Sequence, residues 1–289
     1  MVKKNIILTG ASGFVGKHYV RNNNGKYFID LVSLRVTSVN EVDYTNIDVI
    51  IHLAGKAHQM EEIDPNIYFN VNRDLTLELA KKAKLKGIKQ FIFISTVKVY
   101  GDNNEDILNE NSMCQPTDPY GQSKLEAEEG LKELETENFK IAIIRPPLIY
   151  GKGVKGNLER LISLIKKVPI LPFEGIKNQR SMVYVQNLIA LIDHIVQKQS
   201  SGIFIAGDST THSTTELVAL MNKYLNTNRK LIQLPKFIIS ILKKVKPALI
   251  ERLFTSYIID NKMTNQKLNF HPPFSFQEGI KEMVEDFKK

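Results

Sequence analysis

Five short apolar segments alternate with longer segments of helical character, and this alternation constrains the fold most strongly. The apolar segments lie at 5–9, 27–34, 48–54, 90–95 and 140–146. Their apolar residues run continuously instead of alternating with polar ones, which is typical of strands buried on both faces. Helix-length segments at 65–87 and 123–137 separate the last three. The pattern predicts the α/β class, with a doubly wound parallel sheet.

From Arg145 onwards the amino-acid composition of the chain changes. Glycine and proline become frequent, at Pro146, Pro147, Gly151, Gly153, Gly156, Pro169 and Pro172. We therefore expect a sheet domain over 1–150, which takes back a segment at roughly 182–206, and a smaller carboxyl-terminal lobe formed mainly by 151–289. A chain of 289 residues is long enough for this organisation.

Composition excludes several classes of protein. Cys114 is the only cysteine, so an intramolecular disulfide and a C-x-x-C motif are ruled out, as expected for a cytoplasmic protein. The amino terminus has too few apolar residues for a signal peptide, and no apolar run reaches the roughly 18 residues that cross a bilayer. We expect neither stable membrane insertion nor a bound metal.

The formal net charge of +8 is compatible with nucleic acid, an anionic membrane or an anionic small substrate as partner. The lysines of 81–89 lack interleaved aromatic residues, so we expect no nucleic-acid binding. The segment 234–254 is both basic and apolar. A lid or packing helix interrupted at Pro247 is the favoured interpretation, and an interfacial helix is the alternative.

A glycine-rich loop follows the first predicted strand. In TGASGFVG, Gly10, Gly13 and Gly16 lie between that strand and the next helical segment. The first glycine permits a tight turn, the second lets the backbone approach a diphosphate, and the third allows close packing of helix against strand. Since a helix N-terminus would face the anion, the loop indicates a Rossmann-type dinucleotide site, and an ordinary glycine turn is the weaker interpretation.

Tyr120 and Lys124 are four residues apart at the start of a helical segment. Residues at this spacing share one helix face, so the phenol and the ammonium can act on the same substrate atom. The cation is expected to lower the pKa of the tyrosine from about 10 towards neutral pH, where it can exchange a proton with an alcohol or a ketone. Alone, the spacing is also typical of a solvated helix face.

These motifs occur together with IHLAG (51–55), FNVN (69–72), ISTVKVYG (94–101) and RPPLIYG (145–151). In order and spacing, the set resembles the extended short-chain dehydrogenases/reductases of the NAD(P)-dependent nucleotide-sugar epimerase/dehydratase family. KGNLERL, NQRSMVYVQNL and HPPFSFQEGI resemble its UDP-glucose 4-epimerase-like subgroup, which also contains 4-ketoreductases of UDP-4-keto-6-deoxy-hexosamines. The resemblance implies a Rossmann-type domain, a carboxyl-terminal substrate-binding lobe and an NAD(P)-dependent enzyme.

The resemblance also implies roles for individual residues. Tyr120 would be the catalytic acid or base, Lys124 would bind the nicotinamide ribose, Thr96 would orient the C4 oxygen of a UDP-sugar, and Asn70 would brace the active-site loop. The residues implied in substrate binding are Thr96, Lys98, Tyr120, Asn157 and Arg180. Those implied in binding NADP(H) or NAD(H) are Gly10, Ser12, Gly13, Phe14, Val15, Gly16, Arg35, Leu53, Ala54, Gly55, Asn70, Ser95, Tyr120, Lys124 and Pro147.

The chain departs from the family pattern in two places. Related 4,6-dehydratases carry an Asp-Glu pair directly after the catalytic threonine, whereas this chain has Val97 and Lys98, so we expect no dehydratase activity. NAD-specific members carry an acid at the end of the second strand. Here Asp30 falls within the predicted strand and Ser33 and Arg35 fall at its end, which favours NADP, although Arg35 also fits a plain surface charge.

The coenzyme bears on the reaction, because a reductase exchanges NADPH with solvent, whereas an epimerase retains NAD and reoxidises it in place. We therefore expect a 4-ketoreductase that makes a UDP-6-deoxy-N-acetylhexosamine for surface polysaccharide. A UDP-glucose or UDP-N-acetylglucosamine 4-epimerase is the alternative, and a non-catalytic NADP-sensing regulator is a remote one. Many relatives dimerise through two long helices, here 65–87 and 119–137, so the resemblance also implies a homodimer.

Overall fold

The structure is a computed structural model that describes residues 3–23, 25–57, 64–102, 107–245 and 247–288. Its strands are β1 (Asn5–Thr9), β2 (Phe28–Val32), β3 (Val49–His52), β4 (Gln90–Ile94), β5 (Lys140–Arg145), β6 (Leu148–Tyr150), β7 (Ile170–Leu171), β8 (Met182–Tyr184), β9 (Gly202–Ile205) and β10 (Lys230–Leu231). Its α-helices are α1 (Phe14–Asn22), α2 (Pro65–Tyr68), α3 (Leu75–Leu85), α4 (Pro119–Leu134), α5 (Asn157–Lys167), α6 (Val185–Lys198), α7 (Thr214–Leu225), α8 (Lys236–Val245), α9 (Pro247–Phe254), α10 (Lys262–Leu268) and α11 (Phe276–Glu285).

The five strands β1 to β5 and the later strand β9 form a six-stranded sheet, in the order β2-β1-β3-β4-β5-β9. Every neighbouring pair is parallel, which confirms the predicted α/β fold with a doubly wound sheet. The chain moves outward from β1 to β2 and then returns to the other side of β1 with β3, so the strand order reverses between β1 and β3. In such sheets, ligands bind in the crevice at the carboxyl ends of the strands beside the reversal.

Apolar side chains cover both faces of the sheet. Ile6 and Leu8 belong to one buried cluster, and Ile7 belongs to the other, because successive side chains of a strand point to opposite faces. Helices α1 and α6 pack together on the first face, and α3 and α4 pack together on the second. The central strands of the sheet lie between these two layers of helices.

Strand β2 is the exception to the prediction that all five segments are buried on both faces. It forms the edge of the sheet, and Phe28 and Leu31 are 61% and 57% exposed. An apolar run does not reveal whether a strand has neighbours on both sides, because pairing depends on distant parts of the chain. The prediction of burial on both faces is therefore wrong for β2, and it is correct for the central strands.

The two predicted helical segments are present with shifted boundaries. The first winds continuously through α2, a π-helical stretch at Phe69–Asp74, and α3. The second begins at Pro119, because Asp118 caps it by accepting a hydrogen bond from Gly121 N at 2.7 Å. Tyr120 consequently lies in the first turn of α4.

The carboxyl-terminal part adds two short parallel strand pairs, β6 with β8 and β7 with β10. Helix α7 packs against α5 and α11, and α8 packs against α9. Residues 255–257 then run from the end of α9 back towards the sheet, where Tyr257 donates to the Val97 carbonyl oxygen at 2.8 Å. Among the described helices, none combines the length and the apolar character needed to cross a bilayer.

Candidate active site

The glycine-rich loop joins β1 to α1, and two of its positions accept only glycine. Gly10 has a φ of +73°, and a Cβ there would lie 2.5 Å from the Ala54 amide nitrogen. A Cβ on Gly16 would lie 2.3 Å from the Gly10 carbonyl oxygen. Gly13 N donates to Gly10 O at 2.9 Å and closes the turn. The loop therefore lies directly against the segment that follows β3.

The N-terminus of α1 is suited to an anion. Its N-cap is Gly13, and no side chain of the described residues caps the first amides of the helix. Ser12 is exposed beside it, and Phe14 and Val15 are half-buried in the first turn. Free helix amides above a tight glycine turn form a cradle that fits the diphosphate of a dinucleotide.

The chain after β2 forms the corner that selects the coenzyme in this fold. Asp30 pairs with Ile7 within the ladder, two residues before the strand ends at Val32. Ser33 and Arg35 are exposed on the turn that follows. This corner therefore presents a hydroxyl and a guanidinium where an NAD-selective site presents a carboxylate.

The segment after β3 forms the opposite wall of the cleft. Leu53 N donates to the Thr9 carbonyl oxygen at 3.2 Å, and Ala54 N donates to Thr9 Oγ1 at 3.2 Å. Gly55 is exposed, and a Cβ there would lie 3.3 Å from Lys124 Nζ. These contacts bring the predicted coenzyme-binding segment next to the predicted catalytic lysine.

A buried histidine, which the sequence did not single out, supports this wall from below. His52 Nδ1 lies 2.8 Å from Thr9 Oγ1, and His52 Nε2 lies 3.0 Å from Thr76 Oγ1. Burial, helped by the charge of Lys124, lowers the pKa of His52 to about 3, so the imidazole is neutral at physiological pH. The histidine thus links β1, β3 and α3 through uncharged hydrogen bonds.

Asn72, and not Asn70, braces the loop after β3. Asn70 is exposed, whereas Asn72 is fully buried. Asn72 Oδ1 accepts from Lys56 N at 2.8 Å, and its amide donates to Lys56 O at 3.2 Å and to Ser123 Oγ at 3.1 Å. The assignment of Asn70 is therefore corrected. The π-helical stretch at Phe69–Asp74 alters the helix phase, which decides which asparagine of FNVN turns inward.

Tyr120 and Thr96 meet at the carboxyl end of β4. Thr96 is buried as the N-cap of the 3₁₀ turn at Val97–Tyr100, and its side chain is hydrogen-bonded to that of Tyr120. Burial raises the pKa of Tyr120 to about 12, and the hydrogen bond to Thr96 opposes the rise. The phenol is therefore protonated at neutral pH, and the prediction of a lowered tyrosine pKa is wrong for the protein by itself.

Lys124 is 5% exposed and is held by β4. Its Nζ donates to the Ile94 carbonyl oxygen at 2.8 Å and lies 4.3 Å from the centre of the Phe93 ring. Burial lowers the pKa of Lys124 to about 7, and the nearby Glu128 carboxylate opposes the shift. Because burial governs both groups, the phenol and the ammonium are each pushed towards their neutral forms.

A buried ion pair behind Lys124 is absent from the sequence-based predictions. Glu128 is fully buried one turn further along α4, and Arg145 at the end of β5 is 1% exposed. Arg145 Nε donates to Glu128 Oε1 at 3.0 Å, and another guanidinium nitrogen donates to Tyr100 Oη at 2.7 Å. The Ser95 hydroxyl also donates to Glu128. In the sequence, the four-residue spacing from Lys124 to Glu128 indicates that Glu128 lies on the same face of the helix as Lys124.

Ser95 and Pro147, predicted to flank the nicotinamide, follow neighbouring strands. Ser95 N donates to the Ile144 carbonyl oxygen at 2.7 Å, and Pro147 is buried just after β5. Both residues therefore lie at the carboxyl ends of β4 and β5, on the same side of the sheet as Thr96. Because the Ser95 hydroxyl donates its hydrogen bond to Glu128, a contact of Ser95 with a ligand would have to use other atoms of the residue.

Val97 and Lys98 occupy the positions of the missing dehydratase carboxylates. Val97 is buried, and Lys98 Nζ forms ion pairs with Asp102 and, at 3.1 Å, with Asp118 Oδ2. Since Asp118 caps α4, Lys98 fixes the start of the helix that carries Tyr120. The structure thus adds a positioning contact to the substrate contact predicted for Lys98.

The two predicted diphosphate-binding residues have different surroundings. Arg180 pairs through its backbone with Tyr257, and its guanidinium donates to the Thr255 carbonyl oxygen at 3.3 Å. Because Tyr257 in turn donates to Val97 O, Arg180 lies close to the loop that carries Thr96. Asn157 is exposed at the first position of α5, and none of its contacts ties it to this loop in the described part of the chain.

The assembled residues can carry out proton exchange beside a bound dinucleotide. The glycine loop, the turn after β2 and the segment after β3 form a cradle with the shape and polarity for NAD(P), and Thr96, Tyr120 and Lys124 lie at its other end. Within the described ranges, no group of three or more His, Cys, Asp or Glu side chains is placed to hold a metal ion. The groups that the site brings together are the hydroxyl of Thr96, the phenol of Tyr120 and the ammonium of Lys124.

Comparison with known proteins agrees with this geometry. Residues 6–207 match the NAD dependent epimerase/dehydratase family. A UDP-glucose 4-epimerase from Vibrio cholerae is 32% identical over 98% of this chain and 95% of its own length. An N-acetyl-alpha-D-glucosaminyl-diphospho-ditrans,octacis-undecaprenol 4-epimerase from Escherichia coli O157:H7 is 28% identical over 80% of this chain and 75% of its own length.

Among solved structures, that of RMD from Pseudomonas aeruginosa complexed with NADPH superposes with a TM-score of 0.80. The two chains are 20% identical, and the match covers 99% of this chain and 100% of that chain, which confirms the fold. The family match spans the glycine loop, the segment of Thr96 and the first turn of α4. The chain therefore belongs to the NAD dependent epimerase/dehydratase family of NAD(P)-dependent enzymes that act on nucleotide sugars.

Proposed function

We propose that the protein is an NADPH-dependent 4-ketoreductase of a UDP-4-keto-6-deoxy-N-acetylhexosamine, in surface polysaccharide biosynthesis. The observation that carries this proposal is the corner after β2. Asp30 lies within the strand, two residues before its end, and Ser33 and Arg35 are exposed on the turn that follows. An arginine at this corner suits the 2′-phosphate of NADP, and NADP(H) is the coenzyme expected of a reductase that exchanges it with solvent.

The site residues divide the work of reduction among them. A bound nicotinamide supplies the hydride, which side chains cannot. Thr96 and Tyr120 hold the C4 oxygen of the sugar between two hydroxyl groups, and Tyr120 gives that oxygen its proton. The raised pKa of Tyr120, about 12, keeps this proton in place at neutral pH. In this protonated form the phenol can act as the acid of a ketone reduction.

The substrate is assigned to the carboxyl-terminal lobe. We propose that 151–289 forms most of the substrate-binding lobe, with 1–150 and roughly 182–206 as the coenzyme-binding domain. The guanidinium of Arg180 matches a diphosphate group, since its fork can donate to two oxygens at once. Asn157 and Lys98 are the further proposed contacts to the UDP-sugar. The family resemblance supports these assignments, together with the position of Arg180 near the Thr96 loop.

A UDP-sugar 4-epimerase is the second candidate, because the V. cholerae relative at 32% identity bears that name. The E. coli relative extends the class of possible sugars to one linked to a polyprenol diphosphate. Either epimerase would use Thr96, Tyr120 and Lys124 in both directions and retain NAD. An NADP-sensing regulator is a third candidate. It is a remote one, because a sensor has no need of Thr96, Tyr120 and Lys124 together.

We also propose a cytoplasmic homodimer, since NADPH and UDP-sugars are cytoplasmic metabolites and the two long helices of relatives form dimers. The corresponding surface here is the outer side of α3 and α4. It exposes charged residues, among them Glu78, Lys81, Glu129 and Glu133. Light scattering coupled to gel filtration, in low and high salt, tests this dimer directly.

The first experiment identifies the coenzyme that the protein retains. The protein is purified without added nucleotide and denatured, and the released dinucleotide is identified and counted. We expect a largely empty protein that binds NADPH more tightly than NADH. Stoichiometric NAD would contradict the reductase and support the epimerase.

The second experiment measures turnover. NADPH oxidation is followed with a UDP-4-keto-6-deoxy-N-acetylhexosamine, and product configuration is read by NMR; UDP-glucose and UDP-N-acetylglucosamine are offered in parallel without NADPH. Reduction of the keto sugar alone supports the proposal, and interconversion of the parallel substrates overturns it. Formation of a 4-keto-6-deoxy product from UDP- or dTDP-hexoses would overturn the expected absence of dehydratase activity.

A further inference from the structure

Helix α8 carries an apolar stripe on its outer face. Phe237, Ile241 and Val245 are 66%, 57% and 68% exposed. They are spaced four residues apart, so their side chains line one side of the helix. The half-buried Ile238, Leu242 and Ile239 continue the apolar surface round the helix from Val245. The apolar surface of the helix is therefore wide, and the described residues cover only part of it.

The covered side is explained by the neighbouring helix. Within the part of the chain that the structure describes, α8 makes its main contacts with α9. Helix α9 is in turn anchored, since Ile250 is buried and Leu253 and Phe254 pack against the main apolar cluster. The pair is thus fixed to the protein by α9, and the stripe on α8 faces outward.

Positive charge borders the stripe. Lys243 and Lys244 are exposed. At 100° per residue Lys244 falls directly beside Phe237, whereas Lys243 falls about 160° from Ile241, on the far side of the helix. The sequence of 236–246 holds four lysines and no acidic residue. A second copy of this chain would oppose like charges across the stripe, whereas an anionic surface would be attracted.

The length of α8 sets how it can meet a lipid surface. Ten residues of α-helix extend about 15 Å, half the thickness of the hydrocarbon core, so the helix can lie on a bilayer but not cross it. An exposed apolar stripe with a lysine at its border is the pattern of a helix that lies in the plane of an anionic membrane.

The position of α8 and α9 connects the apolar stripe to the candidate active site. Helix α9 continues directly into residues 255–257. Thr255 O accepts from the Arg180 guanidinium at 3.3 Å, and Tyr257 Oη donates to Val97 O at 2.8 Å. The helix that bears the stripe is therefore connected, through one helix and three residues, to the rim of the substrate side of the cleft.

We propose that α8 is a membrane-docking surface, which lies on an anionic bilayer with Phe237, Ile241 and Val245 among the outer acyl carbons and Lys244 on lipid phosphates. This surface is independent of which reaction the site performs. It selects the interfacial interpretation of 234–254 over a lid. It also places the opening of the cleft close to the membrane surface.

The test is flotation of the full chain with vesicles. Phosphatidylcholine vesicles containing about one-third phosphatidylglycerol are compared with pure phosphatidylcholine vesicles. We expect binding to the anionic vesicles only. The triple variant Phe237→Ser, Ile241→Ser, Val245→Ser should bind at least about tenfold more weakly. Lys244→Gln should weaken binding about fivefold, and added salt should weaken it as well, whereas Lys243→Gln should change it less.

The matched control removes exposed apolar surface elsewhere. Phe28→Ser with Leu31→Ser, at the edge of the sheet, should bind anionic vesicles as the unaltered protein does. Equal binding to both vesicle types, no binding at physiological salt, or undiminished binding of the triple variant would overturn the proposal. So would a dimer that the triple variant abolishes without any vesicle binding, because the stripe would then be an interface between copies. Thermal melts of every variant verify folding, which substitutions of exposed residues should not disturb.

Discussion

The two ends of the coenzyme cleft differ in how firmly the protein holds its own side chains. At the catalytic end, Lys124, Glu128 and Asn72 are buried, and each makes hydrogen bonds to neighbouring elements. At the other end, Ser33 and Arg35 are exposed on a turn after an edge strand. The same sheet thus supports one rigid site and one open corner.

This difference indicates which property of the enzyme can change easily. A substitution at the catalytic end removes a buried partner and disturbs several elements together, because each polar group there satisfies another. A substitution at the open corner alters a side chain that contacts mainly solvent. The reaction should therefore be robust to surface changes, whereas the choice between NADPH and NADH should respond to single residues.

The largest effect is expected from removing the proton that Tyr120 holds. Tyr120→Phe keeps the ring but lacks the hydroxyl bound to Thr96, so turnover should fall about 10²- to 10⁴-fold. The affinity for the coenzyme should change little, as measured by fluorescence titration. Tyr224→Phe on α7 makes the same chemical change outside the site and should leave turnover unaltered. Retained turnover in Tyr120→Phe would remove Tyr120 from the mechanism.

The next effect concerns the buried pair behind Lys124. Glu128→Ala leaves the guanidinium of Arg145 buried without a counter-charge and should cost roughly 3–5 kcal/mol of unfolding free energy. Glu133→Ala, an exposed position on the same helix, should cost far less. Chemical denaturation measures both.

A second variant distinguishes the stability that the ion pair contributes from the stability that is lost when one charge is left buried alone. Glu128→Leu combined with Arg145→Met replaces both charges with apolar groups and should recover most of the stability. A double variant as unstable as the sum of the single changes would show instead that the polar network itself holds the catalytic end together.

The central part of the fold could be predicted because its signals are local. The runs that became β1, β3, β4 and β5 are continuous and apolar, and the glycine loop lies directly between strand and helix. The exposure of β2 could not be predicted, because it depends on the absence of a further strand beside it. The boundaries of α4 required the cap made by Asp118, a local feature that a run of apolar residues does not show.

The candidate active site could be predicted to the extent that it follows one helix face. Tyr120 and Lys124 are brought to the cleft as their spacing indicates. Arg145 could not be found in this way, since its contact with Glu128 depends on how α4 packs against β5. The choice between Asn70 and Asn72 depended on the helix phase through a π-helical stretch, which the usual period of 3.6 residues does not describe.

Acid should destabilise the buried end and leave the open corner unaffected. The pKa of His52 is lowered to about 3 in the folded protein from 6.5, so below pH 6.5 the unfolded chain takes up a proton that the folded chain does not. Stability is therefore present above pH 6.5 and is lost as pH falls, by about 2 kcal/mol at pH 5. His52→Gln should flatten this part of the profile in urea unfolding at successive pH values. Parallel profiles for the two proteins would exclude His52 as the cause.

The smallest effect is expected at the open corner, and it is the one that most directly tests the contrast. Arg35→Ala removes a single exposed guanidinium, so the affinity for NADPH should fall about tenfold while that for NADH stays constant. Arg21→Ala, at an exposed position near the end of α1, controls for the general loss of positive charge and should alter neither. Calorimetric titration gives both affinities. An equal loss for the two coenzymes would mean that Arg35 acts on the fold of the turn, and the corner would then be as constrained as the catalytic end.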